Sequence, residues 1–302
     1  MTRPAAARPF CSEAARDRGE MLAATASRID AWLLVEYAGY WPYEPLNAAA
    51  FAGPLREHLA AQLAAHRPAR LLLVKRSGSR PDGSVEVVYG RTDEQGGRFR
   101  RLELGSYDEL AGLDLSGRAG ALLRHPLLLA CTHGIRDRCC ARYGHALHGE
   151  LLRQADPEWV RQASHVGGDR FAGNLVVLPE GLYFGRVGRD EVAPLLSSYA
   201  AGRIELGTYR GRSCYPFPVQ AAEGHVRRAT GLAGIDDLRL VEVRREARDR
   251  YTVELEAVPT ATLHELEVAV ELGDPVLLTC KAEDPKPPRH FVVRSHRQRE
   301  SV

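Results

Sequence analysis

The stretch from Cys131 to Asn174 constrains this chain more than any other. It holds three of the six cysteines, Cys131, Cys139 and Cys140, then a long helical run, then Ser164-His-Val-Gly-Gly-Asp-Arg-Phe171. Before it, the apolar run ending at Ala130 has the length of a buried strand, so Cys131 falls where a strand opens into a loop. Thiolates and an imidazole brought together by two loops need a rigid α/β scaffold behind them. Those donors suit a soft metal centre, because Cys sulfur and His nitrogen favour iron-sulfur clusters, zinc or copper.

The 302 residues suffice for about two domains with a buried core in each. Apolar residues make up 44% and charged residues 26%, ordinary for a soluble globular protein, and no run of about eighteen apolar residues is available to span a bilayer. The N-terminal segment has no apolar core of the length a secretory signal needs, so a cytoplasmic location is expected. In a reducing compartment the cysteines are expected to be ligands, redox groups or buried fillers rather than a disulfide framework. A net charge of +2 leaves no electrostatic footprint for nucleic acid. The basic tail from Arg289 to Arg299 is expected to be a solvated terminus, with contact to an acidic redox partner as the alternative.

In chain order, Cys11–Glu20 is polar and precedes an Ala-rich stretch that suits a short helix. Trp32–Tyr37 forms a strand and Gly39–Pro45 a structured loop. Pro54–Ala65 is a helix, with Leu55, Leu59 and Leu63 at four-residue spacing and Pro54 at the first helical position. Arg70–Lys75 and Val85–Tyr89 are strands, separated by a Pro81-Asp82-Gly83 turn signal. Ser106–Leu113 is a helix whose capping box is Ser106 with Glu109. This β-α-β-β-α order recurs as a strand ending at Cys131, a helix Arg138–Gln154, strands Asn174–Leu178 and Leu182–Val187 about a Pro179-Glu-Gly181 turn, and a helix Asp190–Ala201.

Such an order, a hairpin attached to a parallel pair, is the layout of thioredoxin-like domains. The expected fold class is therefore α/β (α+β), with tandem thioredoxin-like β-α-β-β-α domains and a C-terminal α+β extension. The expected boundaries are 1–120, 121–205 and 206–302. Within the last segment Val219–Gly231 is a helix, Leu238–Val243 and Tyr251–Leu255 a hairpin, and Val276–Cys280 a further strand.

Successive helical residues point about 100° apart, so one of Cys139 and Cys140 faces a metal near Cys131, and Cys140 is taken as that one. Cys11, Cys139 and Cys280 are expected to be small buried hydrophobes, with Cys214 evenly balanced. His165 is the candidate imidazole ligand because Gly167 and Gly168 let the backbone approach a ligand closely and a core strand follows. Asp169, four residues on, could lie on the same side.

Three segments together resemble the sucrase/ferredoxin-like family: Cys131-Thr-His-Gly-Ile-Arg-Asp-Arg-Cys-Cys140, His165-Val-Gly-Gly-Asp-Arg-Phe-Ala-Gly-Asn174, and Arg210-Gly-Arg-Ser-Cys-Tyr-Pro-Phe-Pro218 continuing to Glu223. Cys11-Ser12 and Trp32–Glu36 fit as well. The resemblance implies a thioredoxin-like ferredoxin domain at 121–205 that binds a 2Fe-2S cluster, an N-terminal domain without one, and no sucrose hydrolysis. The family pattern of two cysteines and a His-x-x-x-His falls here on Cys131, Cys140, His165 and Asp169. Asp169 is a departure, since a carboxylate is a harder ligand than imidazole and its charge lowers the reduction potential.

The expected function is one-electron transfer through a 2Fe-2S cluster to a redox partner protein, a reductase or an electron acceptor, with no catalytic residue of its own. Two other readings stand beside it. Cys139-Cys140 suggests a thiol-disulfide oxidoreductase, though no Cys-x-x-Cys opens a helix. A zinc-binding or cluster-free binding protein would draw in His133, His145 and His148. Phosphate loops, nucleophile elbows and HExxH motifs do not occur.

Overall fold

The computed structural model describes residues 9–78 and 83–300, so the turn expected at Pro81-Asp82-Gly83 lies largely outside the described residues. In chain order the elements are α1 (Cys11–Asp17), β1 (Ala31–Glu36), α2 (Pro54–Ala65), β2 (Ala69–Lys75), β3 (Val85–Arg91), β4 (Arg98–Leu104), β5 (Ala121–Leu122) and β6 (Leu127–Cys131). They continue with α3 (Arg138–Gln154), β7 (Val160–Ala163), β8 (Leu175–Leu178), β9 (Leu182–Phe184), α4 (Arg189–Ala200), β10 (Tyr209–Arg212) and α5 (Phe217–Thr230). The last four are β11 (Leu238–Arg245), β12 (Arg250–Ala257), β13 (Thr262–Leu272) and β14 (Arg289–Glu300).

Ten strands form one sheet in the order β10-β9-β8-β6-β7-β2-β1-β3-β4-β5. β1 and β2 are parallel, β3 runs against β1, and β4 against β3. β6 and β7 are likewise parallel, with β8 against β6 and β9 against β8. Each half therefore repeats one strand order, fourth-third-first-second, with the third strand reversed. The halves meet edge to edge at the antiparallel pair β2·β7, where Val74 faces Ala163 and Lys75 faces Gln162.

The mixed α+β class is as expected, but beyond an outer edge strand, β5 or β10, each copy has one strand more. In the first copy that strand is β4, and the closing helix is a 3-10 helix, Tyr107–Gly112, with the Ser106–Glu109 capping box in place. In the second copy β7, not β8, is the parallel partner of β6. Val160-Arg-Gln-Ala163 gives no strand signal because its charge is satisfied only in the folded protein. Arg161 Nη2 lies 2.9 Å from Glu86 Oε1 on β3, both side chains being almost fully buried, and Arg101 Nε reaches Glu86 Oε2 at 2.9 Å.

Strand pleating sorts side chains between faces. Leu33 and Val35 of β1 pack with Leu71, Leu73, Val87 and, from α2, Leu55 and Leu59. Trp32 and Leu34 turn to the other face, where they share one cluster with Leu72, Leu129, Cys131, Cys140, Val176 and Tyr183. That face thus carries a single core drawn from both halves. Behind the second half, Leu147 and Leu151 of α3 and Val192 and Leu195 of α4 cover Leu128, Val160, Leu175 and Val177.

The remaining strands form a four-stranded antiparallel sheet, β11-β12-β13-β14, packed on α5 through Val219, Ala222 and Val226 against Val253, Leu255, Leu266 and Val268. Val276–Cys280 is not a strand: Val276 makes an isolated bridge to Lys286, and the rest is loop. The basic tail is not a loose terminus but β14, an edge strand whose mostly exposed charges blunt its unpaired side. Among the described residues no helix is long and apolar enough to cross a membrane.

Two outcomes follow from these buried polar groups. Glu86→Gln leaves Arg161 buried without its counter-charge and should cost about 3–5 kcal/mol in denaturant unfolding, whereas Arg101→Ala should cost at most about 1 kcal/mol. On the second sheet, His264 Nδ1 and His296 Nε2 are 2.8 Å apart and the His225 ring meets His296 edge-on. Burial, then the neighbouring imidazole or Arg228, lowers the pKa of all three. The unfolded chain therefore binds more protons below about pH 6.5, so stability is present above that pH and is lost as pH falls toward the folded values. Thermal melts at pH 7.5 and 5.5 should differ more for the native chain than for His264→Gln.

Candidate metal centre

Cys131 ends β6, a central strand with every residue buried, and its N–H donates to the Asn174 carbonyl at 3.0 Å. After the loop, Asp137 caps α3 by accepting the Cys139 N–H at 2.8 Å. The first turn of that helix separates the two neighbouring cysteines. Cys140 turns inward, while Cys139 turns away toward Cys11 and Cys280. One turn on, the helix presses on the strand end: a Cβ at Gly144 would sit 1.8 Å from the Cys131 carbonyl oxygen. Only glycine permits that approach.

His165 follows β7, and its loop is held by its backbone. Gly168 has φ 81, the left-handed region, and a Cβ there would meet the Arg210 guanidinium at 2.2 Å. Arg210, itself buried, donates to the Gly167 carbonyl at 3.1 Å, to Asn174 Oδ1 at 2.7 Å and to the Thr25 carbonyl at 2.5 Å. Asn174 Nδ2 donates to the Gly168 carbonyl at 2.8 Å. Burial pushes the Arg210 pKa down to about 10, leaving it charged at neutral pH. Arg210 and Asn174 received no role from the sequence; the signal available was that Asn174 closes one quoted motif and Arg210 opens another.

These two segments bring Cys131, Cys140 and His165 together, with one donor atom from each lying within 4.8 Å of the others. His165 Nδ1 is 3.8 Å from Cys140 Sγ. Asp169 falls outside that mutual group, yet its Oδ1 is 3.5 Å from Cys140 Sγ and 3.1 Å from His165 Nδ1. His133 is turned to another task. Its Nδ1 accepts the His165 N–H at 3.2 Å and its ring packs edge-on to Trp41, burial keeping it neutral. Neither His145 nor His148 joins a donor group among the described residues.

The two sulfurs share a proton unequally. Cys131 is held well below the usual thiol range, first by its hydrogen bond with Cys140 and then by His165, against burial. Cys140 is correspondingly raised, by the same bond, by burial and by the charge of Cys131. Asp169 is raised by burial, with His165 opposing. The Cys214 thiol, pushed up to about 12 by burial, belongs to neither donor group. On its outer side, His165 lines a groove of about 440 Å³ with Tyr43, Glu44, Arg70 and Arg136.

Two buried thiols and a partly exposed imidazole, beside the strand ends of a duplicated α+β sheet, thus form a donor group of the kind that could hold a metal ion. The chain belongs to the sucrase/ferredoxin-like family, whose family model matches residues 22–211. It is also 35% identical over 95 residues to the "Altered inheritance of mitochondria protein 32" of Meyerozyma guilliermondii, a match covering 28% of this chain and 34% of that protein. The chain thus spans about a third of that relative's length. No solved structure matches.

Gly144→Ala should drive α3 off the strand end, with a loss of several degrees in melting temperature. Arg210→Met removes the donors to two carbonyls and to Asn174. It should destabilise the protein by roughly 3 kcal/mol or more in denaturant titration, since buried acceptors are left unpaired.

Proposed function

We propose that this protein is an electron carrier that holds a 2Fe-2S cluster on Cys131, Cys140 and His165, with Asp169 at the fourth position. The observation that carries the reading is the convergence of two buried thiols and one partly exposed imidazole in a member of this family. The donor chemistry fits: thiolate and imidazole are iron-sulfur ligands, and a carboxylate is an acceptable hard donor to ferric iron. Bound there, the cluster would supply one-electron exchange.

The chain's own groups supply the surroundings. Cys131 and Cys140 lie in the shared core, which keeps water from the sulfur side. His165 faces the groove, so its imidazole is the ligand through which a proton can be taken from or given to solvent. The Asp169 carboxylate adds negative charge beside Cys140 and His165, which favours the oxidised form and lowers the potential. A redox partner protein, a reductase or an acceptor, would dock over the groove, where transfer distance is shortest. Six free thiols suit a reducing compartment such as the cytoplasm.

A second reading, a single zinc ion, is favoured by the tight spacing of the three donors, because a tetrahedral zinc holds its ligands only about 3.3–3.8 Å apart. A thiol-disulfide role has less support, since Cys139 and Cys140 belong to different groups.

Anaerobic purification with iron, sulfide and zinc analysis and visible spectroscopy separates these. A red-brown, reducible protein with matched iron and sulfide is expected, bleached in Cys131→Ser; a colourless product that resists reconstitution would sink the proposal. Asp169→His should retain the cluster and raise its reduction potential in a redox titration.

A further inference from the structure

The side of α3 turned away from this centre carries a second convergence of thiols. Cys139 Sγ is 3.6 Å from Cys11 Sγ and 3.2 Å from Cys280 Sγ, and the last two are 3.5 Å apart. The Asp137 carboxylate completes the group, with oxygens 3.9 and 4.0 Å from Cys11 Sγ, and one donor atom from each of the four residues lies within 4.8 Å of the others. Cys11, Asp137 and Cys139 are buried and Cys280 half-buried. We propose that Cys11, Asp137, Cys139 and Cys280 form a structural site for one tetrahedral zinc ion, which clamps α1 and the 273–288 loop onto the start of α3.

Spacing suits the ion. Zinc with bonds to sulfur of about 2.3 Å sets its thiolates about 3.8 Å apart, close to the three separations observed. A disulfide would draw two sulfurs to about 2.05 Å and leave the third beside them without purpose. A set of three sulfurs and one oxygen also suits zinc, which accepts thiolate and carboxylate in the same shell.

The surroundings treat the sulfurs as acceptors and hold the carboxylate in place. The Ser12 hydroxyl donates to Cys139 Sγ at 3.2 Å and the Cys11 N–H to Cys280 Sγ at 3.4 Å, the outer hydrogen bonds that orient metal-bound thiolates. Asp137 Oδ1 accepts the Cys139 N–H and Oδ2 the Cys280 N–H, at 2.8 and 2.7 Å, and each oxygen keeps a lone pair for an ion. Arg138, hydrogen-bonded to Cys280, offsets part of the negative charge.

The three thiols come from segments 128, 141 and 269 residues apart. The apolar packing where they meet is slight, confined to Cys11, Cys139 and Ala172 with Phe10, Tyr143 and Cys280 around them. Metal ligation there contributes folding energy that a small cluster cannot. Cys11 and Cys280 both lie outside the residues that the family model matches, so the clamp belongs to the flanking segments of this chain. It does not depend on what Cys131 and Cys140 hold.

The full-length chain, purified anaerobically without added metal, tests this by elemental analysis. The native protein should carry one zinc per chain at this site, retained in Cys131→Ser and in Cys214→Ser, and total zinc should fall by one per chain in Cys139→Ser and in Cys280→Ser. Thiol labelling of the unaltered protein provides a readout that needs no variant. Cys11, Cys139 and Cys280 should resist alkylation until a chelator is added, while Cys214 should react equally before and after. Absence of zinc from the native chain would overturn the proposal, as would zinc that survives Cys139→Ser but is lost in Cys131→Ser. Equal alkylation with and without chelator, or a disulfide among the three thiols, would do the same.

Discussion

The contact between the first turns of α3 and the end of β6 is the constraint on which the rest depends. With no side chain at Gly144, the helix lies directly on the Cys131 carbonyl, and Asp137 fixes its first turn by capping it. Because the helix rotates about 100° per residue, that one placement sends Cys140 inward to Cys131 and His165 and Cys139 outward to Cys11 and Cys280. One rigid element thus sets two donor groups.

Arginines buried against carbonyls and carboxylates hold the surrounding loops. Arg210 ties the His165 loop to Thr25 and Asn174. Arg161 ties β7 to β3 through Glu86, across the seam where the two halves join. Arg227 pairs with Glu223 and donates to the Gly234 and Ile235 carbonyls, fixing α5 to the turn that leads into the second sheet. A guanidinium suits such sites because it stays charged when buried and offers five donors in a rigid fork. Each is an energetic liability if its partner is removed, so these loops are held in place without a large apolar core of their own.

Much of this was legible in local pattern. The all-apolar β6 and β8, the four-residue leucine spacing of α2, the Ser106–Glu109 capping box and the glycines after His165 each declare their conformation through nearest neighbours. β7 and β14 were not legible, because polar residues in a strand signal burial or edge pairing only once their tertiary partners are known. The loop holding Cys280 looked like a strand for the converse reason: a short apolar run has no periodicity to separate it from one.

The sequence by itself determined the chemical kinds of donor, their order along the chain, and that Cys139 and Cys140 must point in different directions, because helix geometry is local. Only the tertiary structure decided which cysteine faces which group, and that Cys11 and Cys280, chosen as inert fillers, meet Cys139 across 128 and 141 residues of chain. The physical reason is the range of the interactions. Backbone periodicity and capping act over a few residues, whereas the meeting of these thiols depends on how β6, α3 and the C-terminal sheet pack together.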